Sequence, residues 1–466
     1  MNAVRAAISP KSVEALVQRL SHSAAAYLAL FAGLGAVLAY LWKAPCRFGG
    51  AWSVGNRQFL EFCYTDIYPL WWNEKLNEGK IPYYGHPVEY PVGIGAVMEA
   101  VRRFVGWFRG LFPSASDPDG AVAFYDVTVF LMAICLIVGV VLMAALAGRR
   151  RRLDALWYAL APGIILSAYI NWDLLCGVLS LGAFFAWSRR RPVLAGVLLG
   201  VAVSTKFYPL VFIGPLLVLA LRTRLWTPFL RLLAGGAGTW LVINVPVMVT
   251  AFDGWKRFYV FSDERPADWG SLWYFFEHKQ WAIFGNQPFP ILGDPDLLDT
   301  LGVVSLAVLC LGVAVLGLCA PTRPRLMQLC FLVLASFMLT NKVWSPQYVV
   351  WLVPFAVLAR PGWRALVWWQ LAEIWYFFAI WLFLVDPSGH DPLSIDDGSY
   401  YLAVWARALT VVALMALVVR DILRPERDLV RRDGVDDPSG GVFDGAEDRL
   451  RIRLGATTRS DSPLHV

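Results

Sequence analysis

The chain has 466 residues, of which 58% are hydrophobic and only 16% charged, with a formal net charge of +6. A soluble protein of this length carries about a quarter charged residues, so long apolar runs separated by short polar knots exclude a soluble globular enzyme and describe a polytopic helical membrane protein. The small positive balance does not make a nucleic-acid binder, because the arginines cluster beside the apolar runs, where they set topology.

Residues 1–23 carry Arg5, Lys11 and Arg19, which predicts a cytoplasmic N-terminus. The apolar run that follows is too long for a cleavable signal and lacks a clear small-x-small site. It is the first span, 24–42, and it opens into a large loop, 43–120. Within that loop 92–112 is apolar, but Glu99, Arg102, Arg103 and Arg109 would be expensive in hydrocarbon. The stretch is predicted to be a juxtamembrane amphipathic helix. Eleven more spans are predicted at 121–147, 154–170, 172–187, 193–206, 208–221, 229–250, 300–319, 326–340, 346–359, 364–385 and 401–419.

This register brings every basic knot to one side: Arg149–Arg152, Arg189–Arg191, Arg222 and Arg224, Arg323 and Arg325, Arg360 and Arg364, and Arg420. The positive-inside rule makes that side cytoplasmic. Loops 43–120, 171–173, 206–208, 251–299, 341–347 and 386–400 then face outward. Five spans are short (172–187, 193–206, 208–221, 326–340 and 346–359). At about 1.5 Å per residue they cannot cover about 30 Å of hydrocarbon, which implies a water-accessible cavity dipping into the outer leaflet. The fold class is thus all-α, with about twelve transmembrane helices in one domain, 24–420. The tail 421–466 is charged and rich in Gly, Pro and Asp, a composition that predicts disorder.

The candidate site residues lie in the outward loops. Asp66 stands in Glu61-Phe-Cys-Tyr-Thr-Asp-Ile-Tyr-Pro-Leu-Trp-Trp72. A carboxylate in such apolar company is costly to ionise and has either a task or a partner; its plain alternative is to cap a helix starting near Pro69. Glu89 and Tyr90 sit in a loop whose turns are set by prolines, and for Glu89 a structural and a functional role are both open. Asn171 and Asp173 are natural turn residues that could also hydrogen-bond into the cavity. Lys206, with Tyr208 beside it, and Lys342, with Gln347 beside it, occupy matching tips of short helices. A lysine held below the surface seeks an anion, and a lipid phosphate is the obvious one; snorkelling to the headgroups is the alternative. The stretch Arg265–Trp273 interleaves charge with aromatic rings, as carbohydrate sites do, and offers Arg265 and Trp269. Five of the seven cysteines fall inside apolar runs. Cys46 and Cys63 share the first outward loop on the oxidising side, which predicts a disulfide. Neither a phosphate-cradling glycine-rich loop, nor a D-x-D metal motif, nor a Cys/His cluster is expected to serve here, so no metal or cofactor is expected, and a lipid-linked donor is expected in place of a nucleotide sugar.

Tyr64-Thr-Asp-Ile67, Val88-Glu-Tyr-Pro91, Asn171-Trp-Asp173, the run from Arg191 to Gly200 leading to Lys206-Phe-Tyr-Pro209, and Asn341-Lys-Val-Trp-Ser-Pro-Gln347 resemble, in order and spacing, actinobacterial glycosyltransferase family 87. The resemblance covers about residues 25–420. It implies a GT-C fold with juxtamembrane helices in the first outer loop. It also implies transfer of a sugar, commonly mannose, from a polyprenyl phosphate to a glycan or glycolipid outside the plasma membrane. Such an enzyme has a catalytic Asp or Glu in its first outer loop, and Asp66 is the residue here that fits. A transporter or flippase of lipid-linked sugars is the rival expectation. Transporters often show inverted repeats and midplane sites, whereas here no repeat is seen and the polar residues gather on one side.

Overall fold

A computed structural model describes residues 10–111, 120–279, 294–388 and 390–452. The ends of the chain, parts of both large loops and the last residues of the expected disordered tail lie outside the described residues. The chain is an all-α polytopic membrane protein. Among the described residues six helices are long and apolar enough to cross a membrane: Ala24–Trp42 (the apolar part of Pro10–Trp42), Ala121–Leu146, Trp226–Thr250, Asp296–Cys319, Trp363–Val385 and Asp397–Leu423. Five shorter apolar helices run beside them, Asp173–Ser188, Pro192–Thr205, Tyr208–Thr223, Leu326–Thr340 and Pro346–Ala359. The predicted span 154–170 is interrupted: Ala161 is extended (ψ 134°) before Pro162, so the stretch folds as Leu156–Leu160 and Pro162–Ser167. Proline starts a helix readily but cannot continue one. Val92–Leu111 is helical and presents Phe104, Trp107 and Phe108 to the surroundings.

Glycine decides one crossing. A Cβ on Gly196 would lie 2.0 Å from the carbonyl oxygen of Leu232, and one on Gly200 would lie 2.5 Å from that of Gly236. Pro192–Thr205 and Trp226–Thr250 therefore pack backbone against backbone, and Lys206 sits at the tip of that rigid pair.

The first large loop is pinned rather than loose. Cys46 and Cys63 form a disulfide. The Trp42 indole donates to the carbonyl of Phe62 (2.8 Å), the Trp52 indole to that of Cys63 (3.1 Å), and Thr65 Oγ1 to that of Tyr169 (2.8 Å). The Asp66 amide closes the set on the Ile170 carbonyl at 2.8 Å. Replacing Cys46 and Cys63 together by serine releases a cross-link across 17 residues and should destabilise the protein by about 3 kcal/mol. Thermal melting in detergent under non-reducing conditions checks this; an unchanged melt would mean that the indole and threonine contacts suffice.

The tail departs from its expected disorder. Residues 424–452 form an ordered strap over one end of the bundle. Arg325 and Asp428, each 2% exposed, are paired at 2.8 Å, and Arg325 also donates to the Leu358 carbonyl. The wholly buried Arg222 reaches Asp448 at 2.6 Å, Arg323 pairs with Asp436, and the Leu326 amide donates to Asp437 at 2.7 Å. Trp187 packs its ring on the buried Phe443 and donates to the Gly440 carbonyl. Composition reads the tail's charge but not the counter-charge waiting for it: Arg151, Arg222, Arg323 and Arg325, expected only to mark topology, bind the strap. Helix direction puts this end opposite the site described next. Arg222 closes Ile213–Thr223 while Tyr208 precedes it, and Arg325 precedes Leu326–Thr340 while Lys342 follows it.

Candidate active site

The tips of the short helices and the two large loops enclose a cavity of about 950 Å³. Asp66, Glu89, Tyr90, Asn171, Lys206, Tyr208, Arg265, Trp269, Lys342 and Gln347 all line it; Asp173 does not.

Asp66 occupies the position before helix Ile67–Asn73, yet its side chain caps nothing. The carboxylate turns instead to accept from the Tyr64 hydroxyl at 2.7 Å and from Asn171 Nδ2 at 2.8 Å. Asn171 is oriented in turn: its amide also donates to the Tyr90 hydroxyl (2.9 Å), and its Oδ1 accepts from the Trp172 amide (2.7 Å). Burial pushes the Asp66 carboxyl above the usual carboxylate range, while hydrogen bonds from Tyr64 and Asn171 and the charge of Lys206 pull it back. A carboxylate at a cavity wall, with its proton affinity raised, is equipped to accept a proton from a bound hydroxyl.

The lysines find their anions inside the chain. Lys206 Nζ lies 2.8 Å from Asp173 Oδ1, which also accepts from the Trp351 indole at 2.6 Å. Lys342 Nζ lies 2.6 Å from Asp299 Oδ1 and donates to the Asp263 carbonyl at 2.8 Å. Asp173 is therefore the counter-ion of Lys206 rather than a cavity group. Glu89 pairs with Arg257 at 2.7 Å. Arg265 is held most loosely of the lining cations: its nearest carboxylate, Asp268, is 3.5 Å away and about a third of its side chain is exposed.

Three features escaped the sequence reading. Asp268 is a second half-buried carboxylate in the cavity wall. Its amide donates to the Lys342 carbonyl at 2.7 Å, and its carboxyl is raised by burial and lowered by Arg265 and the backbone amides of Gly270 and Trp344. It stands within the Arg265–Trp273 stretch, so its signal was present. Arg407 and Glu373, paired at 3.0 Å and buried, hold the loop that carries Lys342, since Arg407 donates to the carbonyls of Trp344 and Ser345. Charges inside two predicted spans, 364–385 and 401–419, were the signal for that pair. Asp294-Pro-Asp296 has D-x-D spacing but starts a helix, with the Asp294 side chain accepting from the Asp296 amide; the other such triplet, Asp117-Pro-Asp119, lies outside the described residues.

Residues 110–341 match the model of glycosyltransferase family 87. No curated protein matches the chain. The matched stretch takes in Asn171, Lys206, Arg265 and Trp269, while Asp66 precedes it and Lys342 follows it.

Proposed function

From the premise that residues 110–341 belong to glycosyltransferase family 87, so that the chain is a membrane glycosyltransferase, we propose that it moves a sugar, in the first instance mannose, from a polyprenyl phosphate to a glycan or glycolipid acceptor. The scaffold would be GT-C-like over 24–420, with both termini cytoplasmic and the cavity open to the outer face of the plasma membrane. The observation that carries the reading is Asp66: a carboxylate in the wall of a large cavity, held by Tyr64 and Asn171 instead of capping its helix.

Asp66 accepts the proton of the acceptor hydroxyl. The oxygen attacks the anomeric carbon through an oxocarbenium-like state, and polyprenyl phosphate leaves with the bonding electrons. One base and direct displacement give inversion, by the logic of inverting glycosidases. The leaving phosphate is already anionic and needs no proton donor. Lys206 and Lys342, each shared with a carboxylate, shape the field in the cavity, and Arg265 is the cation able to close on the phosphate. The apolar wall formed by Phe207, Phe258, Phe261 and Phe337 offers the polyprenyl chain a dry surface.

The test is turnover by the purified protein with polyprenyl-phosphate sugars and mannoside or glycolipid acceptors, read by mass spectrometry. A glycoside product supports the reading. Movement of a labelled lipid-linked sugar across proteoliposomes with no product would establish the transporter instead. Arg265→Gln should raise the donor KM about tenfold or more, because one charge-assisted contact to phosphate is lost; a donor KM within twofold of the native value would remove Arg265 from the phosphate site.

A further inference from the structure

Lys43 is a buried charge that the scheme above leaves unused. It follows directly on the helix Pro10–Trp42 and is 1% exposed. Its Nζ donates to the carbonyl oxygen of Tyr64 at 2.7 Å. Among the described residues no carboxylate forms an ion pair with it. A buried ammonium without a paired carboxylate is costly, and burial pulls the Lys43 ammonium down to about 7, with the charge of Asp66 as the opposing influence. Tyr64 joins the two groups in space as well, because Lys43 holds its carbonyl while its hydroxyl holds the Asp66 carboxylate.

The other groups acting on Asp66 come from every side of the cavity: Tyr64 from its own loop, Tyr90 from the next, Asn171 and Asp173 from the turn before Asp173–Ser188, Lys206 from beyond Pro192–Thr205, and Tyr348 from the loop after Leu326–Thr340. Two of these carry a formal charge, and they offset each other. Lys206 is shared with Asp173 at 2.8 Å, so its pull on Asp66 is opposed in part by its own partner. Among the described residues Lys43 has no such partner.

We infer that Lys43 is a positioning residue for the proposed base: it anchors the Tyr64 backbone and supplies the buried positive charge that keeps Asp66 ionised. The inference rests on the reading of Asp66 as the base. With Lys43 neutral, the carboxylate keeps its hydrogen bonds but loses a neighbouring positive charge that is paired with no other carboxylate among the described residues, so it takes up a proton at higher pH.

Three substitutions separate charge from contact. Lys43→Gln keeps a donor for the Tyr64 carbonyl without the charge, Lys43→Met removes both, and Lys43→Arg keeps the charge. The first readout is the acid limb of kcat/KM with polyprenyl-phosphate mannose and an alkyl mannoside. The second needs no substrate: carbodiimide modification of Asp66, which reports the protonated carboxyl, followed against pH by peptide mass mapping. Both midpoints should move up by about one pH unit in the Gln and Met proteins and stay in place in the Arg protein, with the donor KM unchanged. Native midpoints in both neutral variants would overturn the inference. So would failure of both neutral variants to fold while the Arg variant folds, since Lys43 would then be a structural post. An Asp66→Asn protein with native turnover defeats the base reading, whereas an unmoved labelling midpoint defeats the role of Lys43 alone.

Discussion

Replacing Asp66 by asparagine is expected to lower turnover by about 10²–10⁴-fold while leaving the donor KM little changed. The new side chain has the same shape and keeps an oxygen for the Tyr64 hydroxyl, now 2.7 Å from the carboxylate. The disulfide, the Thr65 contacts and the Asp66 amide bond to Ile170 are untouched, so the loop should hold its course. What disappears is the proton acceptor. The pH profile of the native enzyme gives a second check. Burial raises the Asp66 carboxyl, so activity should be fully present above its raised value and fall as pH drops through it, in a limb lying above the ordinary carboxylate range. The asparagine protein should show a low rate without that limb. Turnover within tenfold of native, or a limb that survives the substitution, would assign the base elsewhere, with Asp268 the first alternative because its carboxyl, in the same cavity wall, is also raised by burial.

Asp428→Ala should destabilise the folded protein by about 3–5 kcal/mol, because it strands the buried Arg325 guanidinium. That guanidinium loses contacts at 2.8 and 3.1 Å, the Gln328 amide loses its acceptor at 3.2 Å, and the Val430 amide loses one at 3.0 Å. Pairing the change with Arg325→Met removes the orphaned charge and should recover most of the loss, since an apolar replacement of a buried ion pair is often close to neutral. Melting in detergent reads the stability, and limited proteolysis reads whether residues 424–452 have lifted off. A single variant that melts like the native protein would mean that the strap is held by its other arginines and by Phe443.

The fold was legible where hydrophobicity alone decides it. The expected 326–340 coincides with the helix Leu326–Thr340, and 364–385 with Trp363–Val385, because an apolar run bounded by arginines or a polar turn leaves few alternatives. The charges along 92–112 likewise marked a helix that is absent from the candidate spans. Legibility failed where a residue's meaning depends on a distant one. Lys206 and Lys342 looked like cations in search of a ligand because Asp173 and Asp299, their partners, stand 33 and 43 residues away in sequence. Arg407 and Glu373 were overlooked because each alone is only a blemish in a span. The same blindness made the strap look unstructured, since no local pattern shows that Asp428 meets Arg325. The setting of Asp66 was partly legible for the opposite reason: Tyr64, two positions before it, is one of its hydrogen-bond partners.

The strap also has a meaning in time. A chain is made from its N-terminus, and Arg222 is on the ribosome's far side long before Asp448, 226 positions later, has been added. The Leu146 carbonyl waits still longer for the Ser439 hydroxyl, 293 positions on. Until then Arg222 has the carbonyls of Gly317 and Ala320, and Arg325 those of Leu358 and Ala359, but neither has its carboxylate, and the helices that carry them draw together there only by burying an unpaired charge. One part of the cavity wall faces no such delay, since Asp66, Asn171 and Lys206 are joined through contacts made within the first half of the chain, whereas the loop carrying Lys342 waits for Arg407. Maturation should therefore be staggered: the wall that carries Asp66 sets early, and the opposite end stays wet and splayed until residues 424–452 close it.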